Sequence, residues 1–248
     1  MHRGIWIPTL AWLVVCGFFV CHSVEARAGT ACIQPAQLTH AGVRIARYFD
    51  DAERAAQDDD TVGIQGSGWF LTPTAIVTIE HVVTAMDLTA EAWKQIEIRD
   101  SDRMWTALAR IKRLVGPGTD KLAVLELRTA IPGVRSLSVR AAPLAPDERV
   151  VTLAYTAGHA RFVAGRFVHY GDEHGAADGA MLEMYDGKDR LAVDYGASGA
   201  PVLDCDGRVA AVVAGVLTQT LMLGGEVRVS TAWGMPNVLS VPVEALWN

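Results

Sequence analysis

Three residues of this 248-residue chain carry groups that could cleave an acyl bond together: His81, Asp120 and Ser198. Ser198 lies in "DYGASGAPVLDCDG", residues 194–207, with Gly196 two places before it, Gly199 directly after it and Pro201 three places on. A serine hydroxyl is a weak nucleophile near neutral pH. It needs a base, most often an imidazole, to take its proton, and a third group to orient that base. The oxyanion that develops on the attacked carbonyl needs donors already aimed at it, and backbone N–H groups can supply them. Glycines on both sides of a serine give the chain the freedom to point two such groups at one spot.

The order of the three residues restricts the fold. The α/β-hydrolase elbow is G-x-S-x-G and its histidine comes later in the chain. Here the pattern is G-x-S-G-x, and the last histidine is His174, ahead of the serine. The alternative order is histidine, aspartate, serine. His81 closes "GSGWFLTPTAIVTIEHVV" (66–83), a Gly-Ser-Gly turn followed by two apolar runs, and Asp120 precedes the apolar run of "TDKLAVLEL".

These segments resemble those of the trypsin-like (chymotrypsin-fold) serine peptidases, above all the exported bacterial branch. The match rests on Gly66, Ser67, Gly68, Thr78, His81, Val82 and Val83, then Asp120 before "LAVLEL", then Gly196, Ser198, Gly199 and Pro201. It covers nearly all of residues 41–245. The resemblance implies an all-β fold of two antiparallel six-stranded barrels with the active site in the cleft between them. It also implies roles. Ser198 attacks the scissile carbonyl, His81 is the general base and then acid, Asp120 orients the imidazole, and the N–H groups of Gly196 and Ser198 form the oxyanion hole. The substrate pocket falls on Ala192, Val213, Ala214 and Gly215. With no acid at the pocket floor, small or medium apolar side chains are expected, although Asp194 lies only two residues from Ala192. No cofactor or metal is implied, and the substrate is a polypeptide.

Three departures bear on activity. Lys121 stands between Asp120 and the apolar run, so either a local bulge keeps Asp120 in place or the aspartate slot holds lysine and the triad is broken. Ala197 replaces the usual Asp or Asn before the serine. Ala200 replaces a common glycine, and Glu80 beside His81 is expected to point to solvent. A member of the fold that has lost activity and binds peptides or a partner protein is the alternative reading. A purely structural β-rich secreted domain is the third.

The bulk composition fits a globular enzyme. Half the residues are apolar and the net charge is −6, and no basic stretch interleaved with aromatics suggests nucleic acid. Residues 5–20, "IWIPTLAWLVVCGFFV", followed by "SVEARAG", read as a signal peptide. The run is short for a bilayer span, so cleavage after Ala28 is expected rather than an uncleaved anchor. A lipidated Cys21 is disfavoured, because "FFVC" lacks small residues. Removing residues 1–28 takes away Arg3, Arg27 and Glu25, leaving a charge of −7, a secreted or periplasmic protein and no stable membrane association. Cys32 and Cys205 remain as a disulfide candidate, with two buried free thiols as the alternative.

The elements that must position the site read as short strands separated by turns: 63–72, 75–83, 94–100, 121–128, 149–155, 161–170, 190–195, 200–204, 208–217 and 226–234. Helical turns are expected near 90–95 and in "PVEALWN", after which no further domain is expected. The Pro-rich "APLAPDE" (142–148) divides the chain into residues 29–141, with the histidine and aspartate, and 142–248, with the serine, oxyanion hole and pocket. "DDAERAAQDDD" (50–60) reads as a solvated loop or short helix rather than a cation site. "HYGDEHG" (169–175), with His169, Asp172, Glu173 and His174, reads as a polar loop rather than a metal site.

Overall fold

Two of the chain's apolar runs, "AIVTI" and "LAVLEL", are rich in β-branched and aliphatic residues and are buried along almost their whole length. That pattern fits strands covered on both faces. In the computed structural model they are the centre of the first of two barrels. The structure describes residues 31–56, 61–116, 120–171, 179–185, 193–217, 219–223, 226–230 and 236–247.

The first barrel comprises β1 (Val43–Tyr48), β2 (Gly63–Thr72), β3 (Ala75–Ile79), β4 (Lys94–Arg99), β5 (Met104–Val115) and β6 (Leu122–Leu127), closed in the order β1-β2-β3-β6-β5-β4. The second comprises β7 (Arg149–Thr156), β8 (His159–Tyr170), β9 (Ala180–Tyr185), β10 (Pro201–Leu203), β11 (Val209–Val216) and β14 (Val238–Pro242), closed as β10-β11-β14-β9-β8-β7. Between β11 and β14 the chain forms a separate two-stranded ribbon, β12 (Gln219–Leu223) with β13 (Glu226–Ser230). All the strand pairs are antiparallel, as expected for the two-barrel fold.

The sequence-based expectations differ from this in four respects. The run 75–83 is not one strand. β3 stops at Ile79 and a short helix, α2 (Glu80–Ala85), carries His81. The helical turn expected near 90–95 is absent, and β4 begins at Lys94. Strands β1, β5, β9, β12 and β14 were not expected, and the strand expected over 190–195 does not form at 193–195, its described part, which is loop and turn leading into the serine loop. In β5, "MWTALARIKRLV", only Ala109 is fully buried, so period-two alternation never becomes visible. The acidic stretch holds a one-turn helix, α1 (Asp51–Ala55), closed by a capping box between Asp50 and Glu53. Val243–Leu246 forms the C-terminal turn as expected.

One apolar core runs through both barrels. Val151, Leu203, Val209, Val212, Val241, Val243 and Leu246 of the second half pack into the same apolar cluster as Trp69, Ile76, Ile79 and Leu125 of the first. Full burial of such side chains is worth about 1.5–3 kcal/mol each, so the barrels are fused rather than merely apposed. A second cluster around Phe167, Leu182, Met184 and Val213 fills the second barrel alone. Arg113 on β5 ties the ends together by donating from Nη2 to the Leu246 carbonyl at 2.8 Å.

Cys32 and Cys205 form a disulfide, with Cα atoms 5.4 Å apart across a separation of 173 residues. It joins the segment ahead of β1 to the β10–β11 turn. The same segment is held to the β4–β5 turn, where Asp100 is buried. Burial opposes the charge on Asp100. The N–H groups of Asp102 and Arg103, the Arg103 guanidinium and His40 outweigh it and hold the carboxyl below the usual carboxylate range.

Replacing Cys32 and Cys205 by serine is expected to cost about 2–5 kcal/mol, lowering Tm by roughly 5–15 °C, readable by thermal unfolding of the purified variant. Asp100 contributes its stability above the ordinary aspartate pKa and loses it as pH falls through its depressed folded value. Asp100→Asn should therefore lower stability by about 1–3 kcal/mol at neutral pH. The gap to the unmodified protein should close in acid, as measured by urea unfolding across pH 2–7.

Candidate active site

The His81–Asp120 pair is set by the register of β3 on β6. The ladder runs without a bulge from Ala75 opposite Glu126 to Ile79 opposite Leu122. It continues one rung further, with the Glu80 N–H donating to the Lys121 carbonyl at 2.8 Å. Lys121 is thereby taken up as an additional backbone rung, and no bulge is needed. The next residues out, His81 and Asp120, meet with Nδ1 3.1 Å from Oδ1. A carboxylate can only accept, so this contact favours the tautomer with its proton on Nδ1, in which Nε2 carries the lone pair. The two side chains are 45 % and 38 % exposed. Pairs so placed are worth about 0–1 kcal/mol to stability, so the contact orients the ring more than it holds the fold.

The serine loop is built from two tight turns, Ala197 N–H to Asp194 O at 3.0 Å and Ala200 N–H to Ala197 O at 2.9 Å. Gly199 has φ +91°, and a Cβ there would lie 2.0 Å from the Ser67 carbonyl oxygen and 2.1 Å from Thr78 Oγ1. Only glycine fits. Ala197 and Ala200, the two departures in this loop, are both buried in the apolar cluster of the second barrel. A polar brace at 197 would have no place there.

Bracing comes instead from Ser67 on β2, which is completely buried. Its N–H donates to the Ser198 carbonyl at 2.8 Å. Its hydroxyl donates to the Gly196 carbonyl at 2.7 Å and accepts from the Tyr155 N–H at 2.9 Å. Its own carbonyl accepts from the Thr78 hydroxyl at 2.7 Å. The helix bearing His81 reaches the same place. At Gly66, the point a Cβ would occupy is 2.7 Å from Val82 Cγ1 and 3.3 Å from the Ser198 carbonyl oxygen. The elements carrying histidine and serine thus meet over Gly66. The Ser198 hydroxyl itself donates to the Ala214 carbonyl at 3.4 Å.

The trypsin-like peptidase domain model matches residues 66–212, from this glycine through the serine loop into β11. The chain belongs to the trypsin-like peptidase family. It is accordingly a serine-type endopeptidase by family. Solved structures with this architecture include the Rv3671c protease of M. tuberculosis in its active form, with TM-score 0.56 and 18% identity over 86% of this chain and 80% of that one. The inactive form of the same protease gives TM-score 0.55 and 18% identity over 86% and 88% of the two chains. An inactive serine-to-alanine mutant gives 0.54 and 17% over 90% of each. At these identities the likeness is one of fold. No curated protein matches the chain.

Within this trypsin-like domain the expected pocket residues are placed unevenly. Ala192 lies outside the described residues. Val213 is wholly buried in the second core, and it serves the serine loop through its backbone, which accepts from Gly199 N–H and donates to Ala200 O. Ala214 offers the carbonyl that holds the Ser198 hydroxyl. Gly215 has open space where a side chain would stand. Asp194 is exposed and accepts from the Tyr195 N–H at 2.7 Å. Glu80 differs from expectation, because its Oε2 is buried and finds no hydrogen-bond partner among the described residues. No group of three metal-ligating side chains occurs among those residues. Asp172, Glu173 and His174 lie outside them, and His169 bonds its neighbouring carbonyl at Tyr170.

Ser67, Thr78 and Tyr155 were not singled out from the sequence for these contacts. For Ser67 and Thr78 the signal was a hydroxyl within a strand, since a buried hydroxyl requires a partner; Tyr155 takes part only through its backbone N–H, which no side-chain type reveals. Burial pushes the Tyr155 phenol up to about 12, so it stays neutral in the working range.

Gly199→Ala is expected to abolish the serine loop geometry. The variant should show at least about a 100-fold fall in hydrolysis of a peptide ester, the scale of losing an oxyanion donor, checked together with far-UV circular dichroism to establish that the barrels persist.

Proposed function

We propose that the chain is an exported serine endopeptidase acting through His81, Asp120 and Ser198. The single observation that carries this reading is the 3.1 Å contact between His81 Nδ1 and Asp120 Oδ1, made despite the intervening Lys121. In the proposed reaction the Ser198 hydroxyl turns from Ala214 O toward His81 Nε2. Its oxygen bonds to the substrate carbonyl carbon while Nε2 takes the proton. The carbonyl oxygen becomes an oxyanion received by the N–H groups of Gly196 and Ser198. Collapse breaks the C–N bond, and the proton passes from His81 to the leaving amine. Water then repeats the sequence on the acyl-enzyme. The turn of the hydroxyl gives up one long neutral hydrogen bond, worth about 1 kcal/mol or less.

The pocket is proposed to be formed by Ala192, Val213, Ala214 and Gly215, with Val213 contributing backbone only, and to favour small or medium apolar residues. The open space at Gly215 supports this. Export follows from the signal-like residues 1–28 and is supported by the Cys32–Cys205 disulfide, since such bonds persist in oxidising compartments. Among the described residues no helix is long and apolar enough to cross a membrane.

A second reading is favoured by one observation, the Ser198 hydroxyl bonded to Ala214 and not to the His81 ring. On that reading the protein is catalytically silent and binds peptides. A serine-directed fluorophosphonate separates the two. Labelling that disappears in Ser198→Ala supports the peptidase, and a folded protein that never labels supports the silent form. Asp120→Asn is expected to lower kcat by about three to four orders of magnitude, because the wrong imidazole tautomer is then favoured. A nearly normal rate in that variant would remove Asp120 from the mechanism.

A further inference from the structure

The first barrel supplies the histidine and aspartate, and the second supplies the serine. Something must hold the second set in register with the first. Three consecutive peptide groups around Ser198 are pinned. The group joining residues 196 and 197 is held by Ser67 Oγ on the Gly196 carbonyl and by Ala197 N–H on Asp194 O. The group joining 197 and 198 is held by Ala200 N–H on Ala197 O. The group joining 198 and 199 is held by Ser67 N–H on Ser198 O and by Gly199 N–H on Val213 O. Among the described residues, the N–H groups of Gly196 and Ser198 donate to no protein acceptor. They are the two left without an intramolecular acceptor, and Ser67 holds a carbonyl on either side of the Ser198 N–H.

The direction of the Ser67 hydroxyl is fixed as well. Its oxygen already accepts from Tyr155 N–H, so its proton is left for the Gly196 carbonyl. The chain Tyr155 N–H to Ser67 Oγ–H to Gly196 O is a relay in which each bond orients the next. A hydroxyl buried this completely has no other partner to turn to.

We propose that Ser67 is a positioning residue for the oxyanion hole, fixing from the first barrel the direction of the N–H groups presented by the serine loop. This rests on the reading of Ser198 as the nucleophile. Ser67 touches no reacting atom. Its hydroxyl acts through the Gly196 peptide, and its absence leaves the Gly196 carbonyl and the Tyr155 N–H without their partner. The loop peptide then gains freedom to rotate, and the hole is no longer organised before the oxyanion forms.

The test uses the full chain carrying Ser67→Ala. Steady-state kinetics on a peptide ester are expected to show kcat lowered about 10- to 100-fold, less than the loss of a hole donor itself, with KM changed less than about threefold. Affinity for a peptide aldehyde, whose adduct with Ser198 places an oxygen in the hole, should fall in step with kcat. Affinity for the matching peptide alcohol, which forms no adduct, should stay level. Ser67→Thr, which keeps the hydroxyl, should recover most of kcat. If Ser67→Ala fails to fold, Ser67→Cys keeps the shape with a weaker donor and should show the same split. A folded Ser67→Ala or Ser67→Cys with kcat within twofold of the unmodified protein overturns the proposal. So does a parallel loss of affinity for aldehyde and alcohol. An unmodified protein that neither turns over nor labels at Ser198 sinks the nucleophile reading and this inference with it. A labelled, active protein with an equally active Ser67 variant sinks this inference alone.

Discussion

The backbone of β2 at Ser67 faces two ways. One edge of the strand pairs with the whole of β1, Val43 to Tyr48 opposite Gly68 to Gly63. On the other edge the ladder with β3 begins only at Trp69. Two residues earlier, the Ser198 carbonyl takes the place a strand partner would occupy and accepts the Ser67 N–H. The serine loop is therefore an extension of the first barrel's hydrogen-bonding surface, although its covalent connections belong to the second. Gly199 is the condition for this approach, since any side chain would strike the Ser67 carbonyl.

Much of this was legible in the sequence, and the reasons are particular. The three chemistry-bearing segments carry short glycine and apolar signatures that survive without any knowledge of packing. Their order alone excluded a fold with the histidine last. The two barrels followed from turn-separated strands and from the family likeness. The place of Lys121 was not legible, because whether a residue adds a rung or a bulge depends on the partner strand. The helix at Glu80–Ala85 was hidden for a similar reason. "IEHVV" has the composition of a strand, and β-branched valines disfavour helix, yet the ladder with β6 runs out at Leu122. The role of Ser67 could not be read because its partners lie 88 and 129 residues away.

The site combines firm and loose parts. Ser67, Thr78, Ala197 and Gly199 are buried, and their hydrogen bonds are shielded from water. His81 and Asp120 are substantially exposed. The serine loop is thus fixed by packing, whereas the imidazole is fixed mainly by one carboxylate. In the proposed mechanism, a loop held this way needs no reorganisation at the moment charge appears. In the proposed mechanism, an imidazole so exposed stays accessible to the substrate's leaving group and to water.

The bond between Cys32 and Cys205 has a consequence for biogenesis. Between these positions the chain contains no other cysteine, and the remaining two, Cys16 and Cys21, lie within residues 1–28. Cleavage of the proposed leader would leave a single possible intramolecular disulfide, with no scrambled isomers for an isomerase to sort. The first thiol must also wait while the whole first barrel and four strands of the second emerge before its partner arrives. Covalent closure is consequently a late seal, set after all six strands of the first barrel have had the chance to find one another.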